Sequence, residues 1–151
     1  MTVSRSPTSA GLGGTVSINT DATGVATFTD LSLTGTVGSY ALGFASTGLT
    51  SVTSSAITLT AGPAANILAL STPTQSAGVG ANVANPPSIQ VTDVSGNPVS
   101  GAAVTFTVTA GGGNVSPSTP ITTDATGIAT LAAMDSGDLG RRQHRERERR
   151  T

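Results

Sequence analysis

With 151 residues, 36% hydrophobic content and only four aromatic side chains (Phe28, Tyr40, Phe44 and Phe106), the chain has room for one domain or two partial ones. Thr and Ser together number 44 and Gly adds 19, a composition that suits thin all-β domains with many tight turns and disfavours helices. Residues 1–133 carry one Arg and four Asp, with no His, Cys, Lys or Glu, whereas the last 18 residues carry six Arg and four acids. A weakly acidic, Lys-free body leaves no electrostatic footprint for nucleic acid. The absence of Cys excludes disulfides and thiolate metal sites, and no apolar run approaches the ~18 residues that would cross a bilayer.

In chain order, short runs with period-2 alternation predict strands near residues 15–19, 25–29, 39–45 and 54–60. Tyr40, Leu42 and Phe44 share one face of the third, and Ile57 and Leu59 one face of the fourth. Further strands are predicted near 66–71, 88–92, 103–110, 114–116 and 127–132. The clearest is 103–110, where Val104, Phe106 and Val108 alternate with Thr105, Thr107 and Thr109. Turn chemistry separates these runs: Ser95-Gly96-Asn97-Pro98, Gly111-Gly112-Gly113-Asn114, and two Asp-Ala-Thr-Gly sequences.

The two Asp-Ala-Thr-Gly sequences belong to an internal repeat. Residues 20–27, Thr-Asp-Ala-Thr-Gly-Val-Ala-Thr, recur at 123–130 with Ile for Val as the single change. Upstream, Gly13-Gly14-Thr15-Val16-Ser17 recurs as Gly112-Gly113-Asn114-Val115-Ser116. The offset is 99 residues for the glycine block and 103 for the second block, a spacing of one sandwich domain and too long for a solenoid repeat.

With Asp93-Val94-Ser95-Gly96-Asn97-Pro98-Val99 leading to Gly101, Val104 and Phe106, then the Gly-rich loop, then Thr-Asp-Ala-Thr-Gly-Ile-Ala-Thr, the ordered set resembles the bacterial immunoglobulin-like repeat of invasin- and intimin-type surface proteins. The resemblance covers roughly residues 2–133. It implies immunoglobulin-like β-sandwich repeats in a secreted or surface-displayed array, anchored in the outer membrane through other parts of a parent protein. The partners it implies are neighbouring repeats of the same array and, through the parent, a host-cell or polysaccharide surface.

Both ends depart from that pattern. Thr2-Val3-Ser4 parallels Thr107-Val108-Thr109, so the first unit is expected to lack its leading strands, and the second is expected to stop after Ala133. The expected organisation is therefore residues 1–62 as the C-terminal part of one domain, 63–133 as the N-terminal part of the next, and 134–151 as a charged tail outside either fold. Each incomplete sandwich should expose unpaired edges and core. Closing both halves into one permuted domain would require residues 60–64 to span a domain length, and five residues reach at most ~18 Å. Strand complementation between chains is easier and would associate copies head to tail. Three readings of the tail stand side by side: a solvated helix of mixed charge, a basic segment for nucleic acid that its glutamates weaken, and out-of-frame translation beginning after Ala133.

Catalysis needs a positioned acid, base or nucleophile, and the single His144 sits in the charged tail. No catalytic, cofactor-binding or metal-ligating residue is therefore assigned, and no cofactor is expected. Asp21 and Asp124, in equivalent turns, are the nearest approach to a calcium site. Calcium wants six to eight oxygens, so acceptance of turn N–H groups explains them better. Gly111-Gly112-Gly113 lacks the Lys-Ser/Thr of a phosphate loop, and Tyr40, alternating with Leu42 and Phe44, is expected in the core rather than on a sugar platform. The expected function is a structural or adhesive spacer without catalysis. The alternatives are an accessory carbohydrate-binding or scaffold module of a secreted hydrolase, and a gene fragment with no function of its own.

Overall fold

The computed structural model describes residues 1–72, 75–110 and 113–135. Predicted features at Gly111, Gly112, His144 and the charged tail after Asp135 lie outside the described residues. Within them the chain is all-β, with every strand pair antiparallel and no helix among the described residues. Two compact units form: Met1–Gly62 with Val94–Asn97, and Pro63–Asp93 with the described residues from Pro98 onward.

In the first unit the strands are β1 (Thr2–Ser6), β2 (Ala10–Gly13), β3 (Ser32–Gly35), β4 (Gly38–Ala45), β5 (Val52–Thr53) and β6 (Ile57–Leu59). β4 is the hub. It pairs with β1 from Thr2 opposite Ala45 to Ser6 opposite Ala41, with β5 at Gly43 and Phe44, and with β6 from Gly38 to Tyr40. β2 and β3 pair separately, with Leu12 opposite Leu33. The alternation of Tyr40, Leu42 and Phe44 suits a strand with one face on the core. That core is thin: only Val3, Ala10 and Tyr40 are buried apolar side chains here.

In the second unit the strands are β7 (Asn66–Ala69), β8 (Ser88–Thr92), β9 (Ala103–Val104), β10 (Asn114–Ser116), β11 (Ile121–Thr122), β12 (Ile128–Thr130) and β13 (Ala133–Asp135). β8 is the hub here, flanked by β7 and β12, while β9 pairs with β11 and β10 with β13. Val91, Ala129 and Leu131 form the core, and Ile67 on the edge strand β7 is 70% exposed. These are sandwich-like sheets with much apolar surface left uncovered.

Three predicted strands are corrected. Residues 15–19 make only a single bridge, Ser17 opposite Thr2, with Val3 N–H donating to Val16 O and Ile18 N–H to Met1 O. Residues 25–29 form no strand, and of 103–110 only β9 is paired. The cause is common to the last two: alternation prepares a segment for a sheet, but a strand exists only where a partner supplies the ladder. The parallel drawn between Thr2 and Thr107 is corrected too. Backbone pairing sets Met1 opposite Ile18 and Val104 opposite Ile121, so Thr2 corresponds to Thr105, two residues earlier on the same face.

Candidate functional site

Acidic side chains are the only titratable groups that the described body offers in a repeated arrangement, and both copies lie at tight turns. At the first, Asp21 Oδ1 accepts from Thr23 N–H at 2.8 Å, Thr23 Oγ1–H at 2.7 Å and Val25 N–H at 2.9 Å. Backbone bonds from Asp21 N–H to Val25 O and from Gly24 N–H to Asp21 O close the loop. At the second, Asp124 Oδ1 accepts from Thr126 N–H at 2.8 Å, Thr126 Oγ1–H at 2.7 Å and Ile128 N–H at 3.0 Å. Gly24 and Gly127 have φ of 83° and 73°, a left-handed conformation that disfavours any residue with a Cβ.

The electrostatics follow from this geometry. The Thr23 hydroxyl, then the Val25 and Thr23 N–H groups, hold the Asp21 carboxyl below its ordinary value of 3.8. The Thr126 hydroxyl, then the Ile128 and Thr126 N–H groups, do the same for Asp124. Asp30 is lowered by the N–H of Thr15 and then by its hydroxyl, both of which donate to the carboxylate. Asp93 is buried and engaged in interactions of its own. An Oδ1 that already accepts three donors is committed to its turn, and among the described residues no three His, Cys, Asp or Glu side chains come together. Asp21 and Asp124 are turn anchors.

Aromatic side chains are placed just as conservatively. Tyr40 is buried, its hydroxyl donates to Thr36 O at 2.7 Å, and Ser9 Oγ lies 3.3 Å from it. Phe28 and Phe44 contact each other at a centroid distance of 6.0 Å, and with Phe106 they are half-buried. No aromatic side chain is therefore presented as an exposed platform.

Each unit has an apolar hollow. One of about 290 Å³ in the first unit is lined by Leu12, Leu31, Leu33, Leu42, Ile57 and Leu59. Another of about 300 Å³ in the second lies against Ile67, Val91 and Val104. Neither has converging titratable groups, so each reads as a sheet face without its cover rather than as a pocket for chemistry. Comparison of the chain with protein-family models, with curated proteins and with solved structures finds no match.

Proposed function

We propose that this chain is a non-catalytic structural or adhesive spacer from an immunoglobulin-like repeat array of a bacterial secreted or cell-surface protein, of the invasin and intimin type. The observation that carries the reading is the doubled turn. One octapeptide recurs 103 residues on and adopts the same set of side-chain and backbone hydrogen bonds in both units. A turn kept by such local bonding serves a scaffold built by repetition, with repeats neighbouring one another along the array. The buried Tyr40 supports a spacer over a carbohydrate-binding module, because sugar recognition uses exposed rings.

The flanking DNA tests this reading. Further octapeptides at about one-domain spacing, preceded by an export signal, are the expected result. A catalytic domain in the same reading frame would replace the spacer with an accessory module of a hydrolase, and isolation of the reading frame from any such array would leave a fragment.

A further inference from the structure

The pairing of unit 1 shows what unit 2 lacks. In unit 1, β1 lies along β4 for five residue pairs. Its register equivalent in unit 2, residues 105–109, has no ladder partner among the described residues. Those residues are nevertheless arranged like a strand beside a core: Phe106 and Val108 are half-buried, while Thr105, Thr107 and Thr109 are exposed. At the 103-residue offset, the counterpart of β4 falls on residues 141–148, Arg-Arg-Gln-His-Arg-Glu-Arg-Glu, which has no apolar alternation to offer.

The open edge has a direction. Ala102 donates its N–H to Thr123 Oγ1 and accepts from Thr123 N–H, both at 2.9 Å. Even-numbered backbone groups of an extended strand here thus face β11, and the odd-numbered groups of Thr105, Thr107 and Thr109 face the opposite edge. Unit 1 obeys the same rule: Val3 N–H points to Val16 O, which turns Thr2, Ser4 and Ser6 toward β4. The hydroxyls of Thr2 and Ser4 reach the carbonyls of Ala45 and Gly43, and Thr105 and Thr107 carry hydroxyls at the equivalent positions.

We propose that residues 105–109 are an acceptor edge for β4 of a second copy of this chain. The register is that of unit 1, with Thr105 opposite Ala45, Thr107 opposite Gly43 and Thr109 opposite Ala41. The occupant follows from cross-strand matching. In its own unit, β4 sets Phe44 opposite Val3 and Leu42 opposite Arg5. On the acceptor edge the same residues meet Phe106 and Val108, so the aromatic–β-branched pair becomes an aromatic pair and the apolar–cationic pair becomes an apolar one. Exchange preserves the number of ladder bonds and improves the side-chain pairs, and because donor and acceptor lie in different units it links copies head to tail. This inference stands apart from the spacer reading, since it concerns pairing in the isolated chain.

Sedimentation equilibrium of the full chain is the test, together with a fluorescent peptide of residues 37–46. The expected result is a mass that rises above the monomer with concentration and falls back when the peptide is added in excess. Thr107→Pro removes an N–H that faces the open edge and breaks no internal bond, so it should weaken peptide binding by about tenfold or more. Gly43→Pro in the peptide should do the same, with no fold to lose. A chain that stays monomeric at every concentration overturns the proposal. So does association that the peptide leaves untouched, or peptide binding indifferent to both proline substitutions.

Discussion

Residues 20–27 and 123–130 differ by one methylene group, yet only the second copy runs into a strand. After Asp124 the chain enters β12, where Ile128 pairs with Gln90 and Thr130 with Ser88. Val91 N–H donates to Gly127 O at 2.8 Å, and Gln90 Nε2 donates to Thr126 O at 2.9 Å. After Asp21 the same residues bond only within the turn and join no ladder, and Val25 is 53% exposed. The turn is therefore local property and the strand is not. Five short hydrogen bonds within a few residues form wherever the octapeptide occurs, whereas a ladder needs β8 beside it.

Substitutions at the paired positions separate those contributions, beginning with the glycines. A Cβ on Gly127 would sit 2.5 Å from Val91 O and 3.1 Å from Val99 N, whereas one on Gly24 would meet nothing within 4 Å. Both positions have positive φ, so Gly24→Ala should cost about 1 kcal/mol from conformation alone. Gly127→Ala adds a backbone collision and should cost about 3 kcal/mol. Amide hydrogen exchange at Val91 and Ile128, against that at Val25, reads the two costs separately. Equal costs would mean that the second turn is not docked on β8.

Thr123 and Thr20 give the next largest contrast. Thr123 is 5% exposed, and its hydroxyl donates to Val99 O at 2.7 Å while accepting from Ala102 N–H. Thr123→Val leaves both backbone groups without that partner and should destabilise the second unit by about 1–3 kcal/mol. The exposed Thr20 has no such duty, and Thr20→Val should be nearly neutral. Urea denaturation of the two variants beside the parent chain checks the difference. Smaller again is Gln90→Ala, which removes one side-chain bond to Thr126 O and should cost about 0.5–1 kcal/mol, read as faster exchange at Ile128.

What the sequence discloses follows the same division between local and distant partners. Both Asp turns are legible because donors and acceptor lie within five residues, and Gly marks the left-handed position. β4 and β8 are legible because each is a hub whose alternation is unbroken. Residues 103–110 carry equally clean alternation, and burial follows it, but pairing ends at Val104 because no further ladder partner lies beside them among the described residues. β2 and β3 escape a pattern search because Ala10-Gly11-Leu12-Gly13 has too little side chain to alternate. Their pairing rests on close approach instead: a Cβ on Gly11 would come within 2.7 Å of Thr34 Oγ1.

The smallest effect concerns charge, and here the two copies should agree. Each carboxyl is held below 3.8 by its own Thr hydroxyl first and by two N–H groups of the turn. None of these donors depends on β8, so docking should not alter the direction of the shift. A folded-state pKa below the unfolded value means that the stabilisation is fully present above 3.8 and is lost as pH falls through the lower folded-state value. Carboxylate NMR titrations of Asp21 and Asp124 should both show midpoints below 3.8, with Thr23→Val raising only the first and Thr126→Val only the second. An Asp124 midpoint at or above the ordinary value, beside a lowered Asp21, would show that the sheet reshapes the turn and that the octapeptide is not self-sufficient.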